Sequence, residues 1–118
     1  MGDNLGKMVV TQEGCVPLVF EASEFKTTIA VRRWRIVPIG GLKDRYGVDG
    51  DCDPPTAKNK AIRFDTDLGV PDTIETIIHE MTHASFPTVD EEVVRQFGRD
   101  VRRVLLRVLR DLGTDLGE

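Results

Sequence analysis

The sequence predicts an α+β fold, and three observations carry that reading. Residues 9–67 are rich in Val, Ile, Thr and Phe with Gly and Pro punctuation. Residues 71–112 place apolar side chains at helical spacing. The 118-residue length suits one compact domain spanning 1–118, with the polar stretch 1–8 as a flexible tail.

In the first half, Val16 to Glu21 reads as a strand after a turn at Gly14. Thr28 to Ile36 reads as a second strand, extending toward Pro38, and Gly40-Gly41 breaks the chain. Asp44 to Asn59, dense in Asp, Gly and Pro, reads as a loop, and Ala61 to Asp65 as a short strand. The second half reads as two helices. The first runs from Pro71-Asp72 to Ala84 or Ser85: Pro71 suits a first turn, Asp72 and Glu75 favour the positive end, and Pro87 stops it. The second runs from about Asp90 to Leu112, with Gly113 as its stop. Its stripe of Val94, Phe97, Val101, Val104, Leu105 and Val108 is expected to face the core. Arg95, Arg99, Arg102, Arg103 and Arg110 lie opposite, and the acidic residues among them favour a solvated face over a phosphate-binding one.

The net charge of −4 gives no global attraction to nucleic acid or to an anionic membrane. No apolar run approaches the ~20 residues that span a bilayer. Met1 to Val10 lacks a basic segment followed by an apolar one, so a cytoplasmic protein is expected. Cys15 and Cys52 are then expected as free thiols, and neither lies in a C-x-x-C pair, which rules out a zinc ribbon.

His79-Glu80-Met81-Thr82-His83 spells H-E-x-x-H within the first helix, and it holds both histidines of the chain. Residues four apart lie on one helical face, so the two imidazoles can grip one zinc ion, and Glu80 can take a proton from water held there. Ile74, Ile77, Ile78, Met81 and Ala84 fall on roughly the opposite side, as an apolar back face. A catalytic zinc site takes three protein ligands, and with no third histidine the last must be a carboxylate or a cysteine. The turn at Pro87 brings the start of the second helix back toward the His face. Of its acidic residues, Asp90 is the natural N-cap, which would occupy its carboxylate. Glu91 is the first choice for third ligand and Glu92 the second.

The stretch IIHEMTHASFPTVDEEVV from Ile77 resembles the zincin metallopeptidases, in particular small gluzincin-type relatives of phages and bacteria. The resemblance implies one Zn2+ held by His79, His83 and a glutamate at Glu91 or Glu92, with Glu80 as general base in peptide-bond hydrolysis. It also implies a peptide or protein substrate and a small, mainly antiparallel sheet packed on the active-site helix, whose cleft is lined by an edge strand; Ala61 to Asp65 is the candidate. The metzincin continuation is absent, with Phe86 and Val89 standing where that family has Gly and His. For the second oxyanion donor, Tyr46, Arg45 and Arg63 stay open. Two other readings are carried: a non-catalytic zincin-like binding module or phage accessory protein, and an amide hydrolase similar to peptide deformylases, in which Cys15 of Glu13-Gly14-Cys15 joins the histidines. Cys52 is read first as a buried structural thiol.

Overall fold

A computed structural model describes residues 23–114 and, in backbone only, Val10–Thr11 and Gly14–Cys15. The strand expected at Val16 to Glu21 and the tail at 1–8 lie outside the described residues. The two short segments, β1 (Val10–Thr11) and β2 (Gly14–Cys15), pair antiparallel. The remaining elements are β3 (Phe25–Ile29), β4 (Arg32–Ile39), α1 (Leu42–Tyr46), β5 (Gly50–Cys52), β6 (Ala61–Asp65), α2 (Val70–Ser85) and α3 (Glu91–Asp111). The chain is thus a small α+β unit with a four-stranded mixed sheet in the order β3-β4-β6-β5. The β3–β4 and β5–β6 pairs are antiparallel, and β4–β6 is parallel.

The segment expected as one strand from Thr28 to Ile36 is a hairpin. Ala30 and Val31 sit at φ 50° and 60°, the two-residue turn whose twist matches that of paired strands. Neither residue type is favoured there, which is why the sequence conceals the turn. The expected loop at 44–59 contains most of α1 and all of β5. Gly41 and Gly47 take positive φ at the two ends of α1, a backbone that favours glycine. Asp65, at the end of β6, fastens α1 to the sheet: its carboxylate accepts the amides of Lys43 (2.7 Å) and Asp67 (2.8 Å). Burial alone would raise its pKa, but these backbone amides outweigh burial and hold it below the ordinary carboxylate value.

The largest change from expectation concerns β6. It is a central strand, flanked by β4 and β5, and the sheet edge beside α2 is β5. The sequence of β6 agrees with this place, since Ala61, Ile62, Phe64 and Asp65 are all buried, as suits a strand covered on both faces. The core consists of Ile29, Trp34, Ile36, Ile62, Phe64 and Ala84, with Cys52 and Ile77 packed against it.

Both helices are turned from the orientation their apolar residues suggest. On α2 the buried residues are Thr73, Thr76, Glu80 and Ala84, while Met81 is exposed. The packed face is therefore rotated by roughly 80° from the expected back face, given about 100° per residue. The rotation carries Glu80 in against the sheet and leaves the histidines at the side of the interface. On α3 the buried residues are Val94, Gly98 and Leu106, while Phe97, Val104 and Val108 of the expected core stripe are exposed. Val94 of that stripe stays buried, but the face toward α2 is centred roughly 80° round from the stripe. The arginine side supplies part of the contact instead: Arg102 Nη1 lies 2.8 Å from both Asp72 and Glu75 of α2. Gly98 marks close approach, since a β-carbon there would stand 3.7 Å from Glu75 and 3.9 Å from His79 Cβ.

Candidate metal centre

The site forms where α2, the start of α3 and the edge strand β5 meet. His79 and His83 sit one turn apart on α2, with their Nε2 atoms 3.2 Å apart. The Phe86–Asp90 turn reverses the chain, and the first residue of α3, Glu91, reaches back to them. Its Oε2 is 3.1 Å from His79 Nε2 and its Oε1 is 2.8 Å from His83 Nε2. Among the described residues, His79, His83 and Glu91 are the group whose ligand atoms converge closely enough to hold a metal ion, all within 4.8 Å of one another.

The donor chemistry fits such an ion. Two nitrogens bound to one tetrahedral zinc at ordinary lengths stand about 3.3 Å apart, close to the spacing seen between the two imidazoles. Burial lowers the pKa of His79; Glu91 works against that, while His83 and Arg95 add to it. The result favours the neutral imidazole that a metal requires. Arg95, one turn along α3, donates to Glu91 Oε2 at 3.1 Å and to Glu92 Oε1 at 2.7 Å. It orients Glu91 toward the histidines and holds Glu92 on the outer surface. Asp90 occupies the N-cap position of α3, but its side chain makes no capping bond, contrary to expectation.

Glu80 is 8 % exposed, and its carboxylate has no hydrogen bond or ion pair with a described residue. Burial, followed by the negative charges of Asp51 and Glu91, pushes its pKa up to about 7. Gly50 makes room for it. A β-carbon at Gly50 would lie 2.7 Å from both Arg63 O and Thr76 Cγ2 and 3.5 Å from Glu80 Cγ. Only a glycine lets β5 run this close to α2.

A cleft of about 600 Å3 opens over these groups. Its walls are β5 and the following residues to Pro55 on one side, and His79, Glu80, His83, Pro87 and Glu91 on the other. Arg63, expected as a candidate oxyanion donor, instead ties the rim together: its guanidinium donates to Asp51 at 2.6 Å and to Asp53 at 2.9 Å. Asp53 also accepts the Ala61 amide at 2.9 Å. Neither Arg63 nor the other two candidates, Arg45 and Tyr46, lines the cleft. Arg45 donates to the carbonyls of Gly40 and Gly41, and its guanidinium stands 5.8 Å from the ring of exposed Tyr46. A smaller cavity beside the cleft brings two other arginines, Arg95 and Arg99, near His79 and Glu80. Cys52 lines the cleft, but its thiol donates to Asp53 O (3.3 Å), and burial, with Glu80 adding, pushes its pKa up to about 12. In the metal-free protein it is therefore the neutral thiol, and it does not belong to the converging donor group of His79, His83 and Glu91. The Cys15 side chain lies outside the described residues.

No helix among the described residues is long and apolar enough to cross a membrane. No protein-family model, curated protein or solved structure matches this chain.

Proposed function

We propose that this chain is a zinc metallopeptidase of minimal zincin type, holding zinc through His79, His83 and Glu91. The observation that carries the reading is the meeting of three elements in one cleft: a His/His/Glu donor set, a buried glutamate beside it with no partner among the described residues, and an edge strand along the opposite wall. When bound, zinc would supply Lewis acidity, acidifying water to a pKa of about 7 and polarising a carbonyl.

The remaining chemistry belongs to the chain. Glu80, with a pKa near neutrality, accepts a proton from the attacking water and returns it to the departing amine. Among the described strands β5 pairs with β6 alone, so its other backbone edge can receive an extended peptide by strand addition. This moves the substrate-binding role from Ala61–Asp65, where the sequence suggested it, to Gly50–Cys52. Arg63, Asp51 and Asp53 stiffen that strand and hold its distance from Glu80.

A second reading, a metal-holding binding module, draws on one observation: among the described residues, the lining of this cleft holds no Arg, Lys or Tyr side chain to stabilise an oxyanion, Arg95 and Arg99 lining the adjoining cavity instead. Incubation of zinc-loaded protein with a degenerate peptide library, read by mass spectrometry, separates the two. The peptidase reading expects cleavage by the wild type and a loss of about 10²–10⁴-fold in Glu80→Gln at unchanged zinc content. Full zinc content with no cleavage by the wild type favours the binding module.

A further inference from the structure

The exposed apolar face of α3 is palindromic. Val93, Phe97, Val104, Val108 and Leu112 are 46–74 % exposed, and partly buried Val101 lies between them. Their spacing along the chain is four, four, three, four and four residues. Val93 and Leu112, Phe97 and Val108, and Val101 and Val104 are each equidistant from the midpoint between Arg102 and Arg103. The steps of three and four keep the row on one helical face, as in a paired-helix seam. Contiguous exposed apolar surface of this kind on a soluble chain marks an interaction site.

We propose that this face binds a second copy of the same chain, α3 against α3, antiparallel about a two-fold axis at that midpoint. A two-fold contact must be self-complementary, so each residue meets the one at its mirrored position. The palindrome provides this: Phe97 meets Val108 of the other copy, Val101 meets Val104, and Val93 meets Leu112. Between Val101, Val104, Leu105 and Val108 lies a shallow cavity of about 380 Å3, which the partner's side chains would fill.

Charge selects the antiparallel arrangement. Asp100 and Arg107 flank the stripe on the same side, and in an antiparallel pair the two flanks on that side face each other. Asp100, which within its own chain accepts from Gln96 and pairs with Arg103, then also meets Arg107 of the other copy, itself paired with Asp111, twice by symmetry. A parallel pair would set these charges against the opposite flank, which carries Leu105 and Leu112. The helix of 21 residues is about 30 Å long. One helix pair of that length buries less than the ~800 Å2 per partner of a standard interface, so the association is expected to be weak and concentration-dependent. The contact is on a face of α3 beside the one that meets α2, and it does not include His79, His83 or Glu91.

Sedimentation of the full chain from about 5 to 500 µM tests the proposal. The mass should rise from 13.2 kDa toward twice that value across the series. Val104→Lys should remain monomeric with an unchanged melting temperature, because the residue is exposed in the single chain. Asp100→Arg should weaken association at least tenfold, and the double exchange Asp100→Arg with Arg107→Asp should restore it. A wild type that is monomeric throughout, or a dimer indifferent to Val104→Lys, overturns the proposal. So does a drop in the melting temperature of dilute Val104→Lys, which would mean that the face is covered within the same chain. Failure of the double exchange to restore association overturns the antiparallel register.

Discussion

Gly50 and Glu80 face each other so closely that a β-carbon on the glycine would stand 3.5 Å from the glutamate Cγ. The general-base candidate therefore packs against a strand that carries no side chain at that point, and it has no hydrogen bond to a described residue. Glu80 is buried because β5 lies on it, and its raised pKa follows from that burial first and from Asp51 and Glu91 after it.

Gly50→Ala should show this directly. The new methyl meets backbone at Arg63 O and the Thr76 side chain, each at 2.7 Å, so β5 must move off α2. We expect a loss of about 1–3 kcal/mol in chemical denaturation, the usual cost of overpacking. Peptide cleavage should fall further than stability does.

The pH dependence of the metal-free protein should carry the signature of Glu80. Its pKa in the fold, about 7, lies above its ordinary value of 4.5, so the fold binds the proton more tightly than the unfolded chain does. The associated stability is complete below about pH 4.5 and is lost as pH rises through about 7. The change amounts to on the order of 2–3 kcal/mol. Urea denaturation of wild type and Glu80→Gln at a series of pH values isolates it, because other titrating groups contribute alike to both. Curves that stay parallel from pH 4 to 8 would exclude a raised Glu80 pKa.

Arg95 and Glu92 should respond differently despite their contact. Arg95 donates to the liganding candidate Glu91, so Arg95→Ala should weaken zinc binding by about 10–100-fold, as loss of an orienting group does. Among the described residues Glu92 is held by Arg95 alone, on the surface, and Glu92→Ala should leave the affinity within a few-fold of wild type. Titration against a competing chelator measures both.

The orientation of α3 can be checked by two truncations of the same kind. Val94 is fully buried and Val104 is 62 % exposed. In dilute protein Val94→Ala should cost about 2 kcal/mol, whereas Val104→Ala should stay within about 0.5 kcal/mol of wild type. Equal costs would mean that α3 lies differently on α2.

Much of this arrangement was legible in the sequence, for local reasons. H-E-x-x-H fixes two imidazoles on one helical turn wherever the helix packs, and Pro71, Pro87 and Gly113 mark the helix ends within a residue or two. What depends on partners far along the chain was not legible. The stripe on α3 pointed to a core, but ion pairs from Arg102 and the small Gly98 place a different face on α2. Glu91, the first choice for third ligand, lies on the side of α3 that meets α2, within reach of both imidazoles. The placing of Ala61–Asp65 at an edge failed because the parallel β4–β6 pairing is non-local, and because β5, with only three residues in an Asp- and Gly-rich segment, resembles a loop. The hairpin at Ala30-Val31 carries none of the residues that announce such a turn.

Whether His79, His83 and Glu91 hold one zinc together is decided by the zinc content per chain of wild type and Glu91→Ala, purified alike and measured by elemental mass spectrometry. One zinc per chain is expected in the wild type and near none in Glu91→Ala; full zinc occupancy in Glu91→Ala, or none in the wild type after exposure to zinc, would contradict a shared three-residue site.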